Sequence, residues 1–119
     1  MICAGCEHDP CECVRWEPKA EAKRDPIAFR FDILDPEFLQ ALAQIADYGA
    51  KKYGDRNWHK SRMIGDKSCM NHMYGHLLSY GASLEYDHQE LGKEKKWHLA
   101  AVAFNAMMEF WYENNPKVK

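Results

Sequence analysis

Residues 97–111 constrain the fold more tightly than any other stretch. Trp97, Ala100, Phe104, Met107 and Trp111 recur at the spacing of one helical face, and Leu99, Ala103, Ala106 and Phe110 form a second apolar line beside it. A helix that is apolar round most of its circumference must be surrounded by other elements. This segment, running to about Glu113, is therefore expected to be the central helix of a bundle. One line departs from the pattern: His98, Val102, Asn105, Glu109 and Tyr112 bring polar groups into it. Buried polar groups need partners, so His98 and Asn105 are either hydrogen-bonded core residues or the inner wall of a ligand site.

Two further helices can surround it. Asp35-Pro36 supplies an N-cap followed by proline at the first helical position. From there to about residue 52, Phe38, Leu42, Ile45 and Gly49, flanked by Leu39 and Ala46, make one apolar stripe. Asp47 and Lys51 lie four apart on the other side and read equally well as a surface pair or as site residues. After a loop at 53–65 carrying Gly54 and Gly65, a second helix is predicted from about Asp66 to Leu84. Met70, Met73, Leu77, Tyr80 and Leu84 are its expected core stripe, and His72, His76, Ser79 and Ser83 a neighbouring polar line. His72 and His76 share a face but lack the glutamate of a His-Glu-x-x-His motif, so they are not read as a zinc pair. Phe29 to Leu34 alternates briefly and reads as extended. Three helices without a convincing strand run make the class all-α, a bundle of three main helices. Apolar faces on nearly every side predict completion by oligomerisation, as a homodimer or higher homo-oligomer.

A chain of 119 residues, 46% hydrophobic, can build one compact domain but scarcely two. That domain is assigned to 28–119. Residues 1–27 read as a Cys-rich arm, in which Cys3, Cys6, Cys11 and Cys13 crowd round His8 ahead of Pro18, a mixed-charge run and Pro26. Four cysteines at this spacing could close a structural zinc site, or stand as reduced thiols without metal. Sixteen Lys and Arg against eighteen Asp and Glu give a net charge of -2, so no global basic field favours nucleic acid as a partner. Neither a bilayer-length apolar run nor a signal-like N-terminus is evident, which predicts no membrane association and a cytoplasmic location with reduced cysteines.

The chemistry concentrates between Tyr48 and Trp58. Lys51, Lys52 and Arg56 supply cations, Tyr53 and Trp58 rings, and Asn57 an amide, all just past the end of the first helix. No glycine-rich phosphate loop is present. An acidic turn, residues 85–92, offers Glu85, Asp87 and Glu90, and packed helices could bring His76 and His98 near it. Hard oxygen ligands suit Mg2+ or Mn2+, and these suit a polyphosphate substrate. Lys51, Lys52 and Arg56 would then hold phosphates, while Tyr53 or Trp58 either stacks on a base or packs the loop.

Several strings carry a family resemblance. They are Phe31-Asp32-Ile33-Leu34, Pro36-Glu37, Ala41-Leu42, Gly49-Ala50-Lys51-Lys52-Tyr53-Gly54, Asn57-Trp58, His76-Leu77 and His98-Leu99-Ala100-Ala101-x-Ala103-x-Asn105-Ala106. In order and spacing they resemble the phage dATP/dGTP diphosphohydrolase N-terminal-domain family, grouped with the MazG-like all-α nucleoside triphosphate pyrophosphohydrolases. The resemblance covers roughly residues 28–114. It implies an oligomeric helical bundle in the host cytoplasm and a Mg2+- or Mn2+-dependent cleavage of dGTP or dATP to the monophosphate and pyrophosphate. Mapped onto this chain, it implies Glu85, Asp87 and Glu90 as metal or base residues, His76 and His98 as catalytic wall, and Lys51, Lys52, Tyr53, Arg56, Asn57, Trp58 and Asn105 on substrate. The Glu-x2-Glu and Glu-x2-Asp pairs of the broader enzymes do not stand at the expected places, and Gly75 precedes His76 where related sequences carry arginine. Two other readings are a non-catalytic protein that sequesters a nucleotide, and a zinc-stapled adaptor or nucleic-acid module centred on residues 3–13.

Overall fold

The computed structural model describes residues 22–88 and 90–119, so Cys3, Cys6, Cys11 and Cys13 and the zinc expectation lie outside the described residues. The chain divides into two units, residues 1–31 and 32–119. In the described part of the first, Phe29 and Phe31 meet edge to face, with centroids 6.4 Å apart. The predicted extended stretch is instead closed by a 3-10 turn, Phe31–Ile33.

The second unit is built from α1 (Pro36–Tyr53), α2 (Cys69–Gly81) and α3 (Lys96–Asn114), with no strand among the described residues. This is the all-α bundle expected. Helix α1 starts where Asp35-Pro36 dictates: the Asp35 carboxylate accepts from the Phe38 amide at 2.9 Å, satisfying one of the free N–H groups of the first turn. It ends at Gly54, whose φ of 95° takes the chain out of the helix. Helix α2 starts later than the predicted Asp66. Gly65, at φ 65°, opens a 3-10 turn through Lys67, and the Ser68 hydroxyl then caps α2 by accepting from the Asn71 amide at 3.1 Å. A serine side chain can do this where the glycine-led turn cannot.

Helix α3 is the common element: α2 packs most extensively on it, α1 packs on it less, and α1 and α2 hardly meet. The core is Cys69 from α2 with Met108 and Tyr112 from α3, closed over by Trp58, Met63, Met73, Phe104, Trp111 and Val118. Two expectations change. The inward line of α2 starts at the fully buried Cys69 and runs through Met73 and His76 to Tyr80, whereas Met70 and Leu77 are exposed. The interior offers His76 a partner on α3, so a polar residue takes the place periodicity had given to leucine. Burial of α3 is also one-sided, with Phe110 69% exposed, because within one chain only two helices reach it. Helix α1 has no buried residue at all.

Candidate functional site

A cleft of about 1290 Å3 opens between α1, the loop that follows it and α3. This exceeds the usual range for small-molecule sites, about 300–1,000 Å3, and is large enough for a nucleotide with its triphosphate. Its apolar lining includes Ala43, Ala46 and Ala50 from α1 and Phe104, Met107 and Met108 from α3. Its polar lining includes Asp47, Asp55, Arg56, Asn57, Lys67, His72 and Asn105.

The loop between α1 and α2 is held in place from α3. The Tyr112 hydroxyl donates to the Trp58 carbonyl at 2.7 Å and lies 3.2 Å from that of Ser61, and burial pushes its phenol pKa up, so it remains a donor. Arg62 pairs with Glu109, lies 3.6 Å from Glu113, and sits over the Tyr112 ring. Trp58 meets Trp111 edge to face, and His59 stacks flat on Trp111 with centroids 3.9 Å apart. Residues 58–62 are thus anchored, and the segment just before them is left to face the cleft. There Arg56 adopts φ 51°, ψ 38°, a left-handed conformation that costs a non-glycine residue about 1 kcal/mol or more. Arg56 and Lys67 form no ion pair among the described residues. Both side chains belong to the cleft lining, which also holds the carboxylates of Asp47 and Asp55.

Of the residues expected on substrate, Tyr53, Arg56, Asn57, Trp58 and Asn105 line this cleft. Lys51 and Lys52 are exposed and outside its lining: Lys51 pairs with Asp47 at 3.1 Å, and the Lys52 ammonium lies 5.2 Å from the Tyr53 ring centre. Trp58 serves both readings of the loop aromatics, since its ring packs against α3 while its residue lines the wall.

His76 and His98 do come together, with Nδ1 atoms 3.0 Å apart. His98 Nε2 donates to the Glu85 carbonyl at 3.1 Å, which leaves its Nδ1 as the acceptor for a proton on His76 Nδ1. Burial first, then repulsion by His98 and His72, lowers the His76 pKa below 6.5. Tyr86 packs on both rings and stacks on His88, which in turn meets Tyr48 edge to face at 3.9 Å. Tyr86 and His88 line the cleft, but His76 and His98 do not; the pair braces the cleft wall from behind. Above pH 6.5 both folded and unfolded His76 are neutral and its contribution to stability is intact. Below 6.5 the unfolded chain binds the proton first, so stability falls as pH drops through the folded value. Thermal midpoints measured from pH 7.5 to 5 should fall on the acid side, and His76→Gln should make that fall shallower.

Glu85, Asp87 and Glu90 are exposed. Neither they nor any other three His, Cys, Asp or Glu side chains among the described residues are gathered so as to hold a metal ion. Lys67, which no sequence pattern marks, and His72, from the predicted polar line of the second helix, both line the cleft. His72 donates from Nδ1 to the Ser68 carbonyl at 3.0 Å, which leaves Nε2 open as an acceptor. Lys67 directly precedes Ser68, the residue that caps α2, and His72 follows it by one helical turn.

A family model described as dATP/dGTP diphosphohydrolase, N-terminal, matches residues 17–119. No curated protein and no solved structure matches the chain.

Proposed function

Since the chain belongs to the dATP/dGTP diphosphohydrolase N-terminal family, we propose that its α1–α3 cleft binds a purine deoxynucleoside triphosphate and hydrolyses it to the monophosphate and pyrophosphate. The observation that carries this reading is the pair of unpaired cations, Arg56 and Lys67, in a cleft whose remaining lining is largely apolar. Guanidinium and ammonium groups bind phosphate oxygens by charge-assisted hydrogen bonds, and an apolar slot beside them suits a base. Here Arg56 and Lys67 hold the phosphates and offset charge as the bond between the α-phosphorus and the bridging oxygen breaks. His72, its tautomer set by Ser68, presents Nε2 to accept a proton from the attacking water. The exposed Phe38, Leu39, Leu78 and Phe110 support assembly as a homodimer or higher homo-oligomer.

The second reading, binding without cleavage, is favoured by one observation: no metal-holding set of carboxylates is gathered among the described residues. Incubation with dATP and dGTP, each with and without Mg2+ or Mn2+, separates the two. Monophosphate and pyrophosphate as products support the first; nucleotide recovered intact from a stable complex supports the second; neither turnover nor binding overturns both.

A further inference from the structure

Asn105 sits midway along α3, between Phe104 and the Met107–Met108 pair that line the apolar part of the cleft. Its amide is oriented by its own helix: Nδ2 donates to the Ala101 carbonyl at 2.8 Å. That bond fixes which end of the amide is which. Oδ1 has no hydrogen-bond partner among the described residues, and the side chain is only half-buried, on a wall of the cleft. The result is a neutral acceptor set on α3 among the apolar side chains of Phe104, Met107 and Met108. The other acceptors of the lining lie elsewhere: Asp47 is paired with Lys51, Asp55 and Asn57 flank Arg56 in the loop, and His72 is on α2.

A neutral acceptor in apolar surroundings recognises a donor on an otherwise apolar, planar group. Ala43, Ala46 and Ala50 on the α1 side carry side chains no larger than a methyl group, which leaves room for a flat ring between the two helices. We infer that Asn105 reads an exocyclic amine on the base of the bound nucleotide, so that the cleft selects amino-bearing purines. The inference rests on the nucleotide reading of the cleft and adds to it the group that is recognised. A sugar hydroxyl offers the same donor chemistry, so the test must separate the two.

Binding is measured by titration calorimetry for dATP, for the triphosphate of unsubstituted purine deoxyriboside, which lacks the amine, and for 2′,3′-dideoxyadenosine triphosphate, which lacks the 3′-hydroxyl. One hydrogen bond gained or lost predicts that the amine-free nucleotide binds roughly threefold to tenfold more weakly than dATP, while the dideoxy nucleotide matches dATP. Asn105→Leu should abolish the difference while keeping the helical circular dichroism. Equal affinity of the native protein for dATP and the amine-free nucleotide overturns the inference. So does a preference that survives in Asn105→Leu, or a loss that follows the 3′-hydroxyl instead. If the native protein binds none of the three, the nucleotide reading falls and the inference falls with it, an outcome distinct from binding without discrimination.

Discussion

Replacing Arg56 by glycine is expected to weaken triphosphate binding about tenfold to a hundredfold while leaving the protein at least as stable as before. The first half follows from the charge: a hydrogen bond to a charged group contributes about 1.5–3 kcal/mol, and Arg56 has no ion pair among the described residues to compete for it. The second half follows from the backbone. At φ 51° arginine occupies a region that glycine enters without steric cost, so relief of strain offsets the extra entropy glycine loses on folding. A purely structural arginine would behave oppositely, losing stability with little change in affinity. Calorimetric titration with a slowly hydrolysed dATP analogue, beside a thermal melt, distinguishes the two. Strain kept at a position that glycine would relieve is what a binding residue leaves in a fold.

Tyr112→Phe should carry the largest stability cost of any single-atom change in the domain. Its hydroxyl serves the carbonyls of Trp58 and Ser61, and the side chain is 1% exposed. Removing the donor leaves a buried carbonyl without its partner, a loss of about 1–3 kcal/mol. In a domain of this size each kcal/mol lowers the thermal midpoint by roughly 4–8 °C. Because the same bond anchors the loop that presents Arg56 and Asn57, affinity for nucleotide should fall as well. A midpoint within a degree of the native protein's would show that the loop is held by its aromatic contacts and the Arg62–Glu109 pair alone.

Local chemistry was the part of the structure that the chain declared openly. Asp35-Pro36 announces the start of α1 because an N-cap acts within one turn, and the stretch from Gly49 to Trp58, dense in charged and ring-bearing residues, contributes Tyr53, Arg56, Asn57 and Trp58 to the cleft lining. The face that α2 turns inward was not legible. Periodicity put Met70 and Leu77 inside, but the choice depends on His76 meeting His98 twenty-two residues away, and hydropathy alone does not register that a polar residue has found a partner. For the same reason the sequence pattern does not mark Lys67, whose place in the cleft lining depends on the 3-10 turn Gly65–Lys67 that carries it. Lys51 and Lys52 end α1 as exposed side chains outside the cleft lining, Lys51 bonded at the cleft's edge to the lining residue Asp47 and Lys52 near the Tyr53 ring.

The most direct test of the account is to map where the nucleotide sits. Amide chemical shifts of the isotope-labelled protein, followed as a slowly hydrolysed dATP analogue is added, should move at Arg56, Asn57, Lys67, His72, Phe104, Asn105, Met107 and Met108, which are among the residues lining the α1–α3 cleft. Saturable shifts confined instead to the smaller groove formed by Asp35–Gln44 and Lys96–Ala100, with the cleft unmoved, would contradict it.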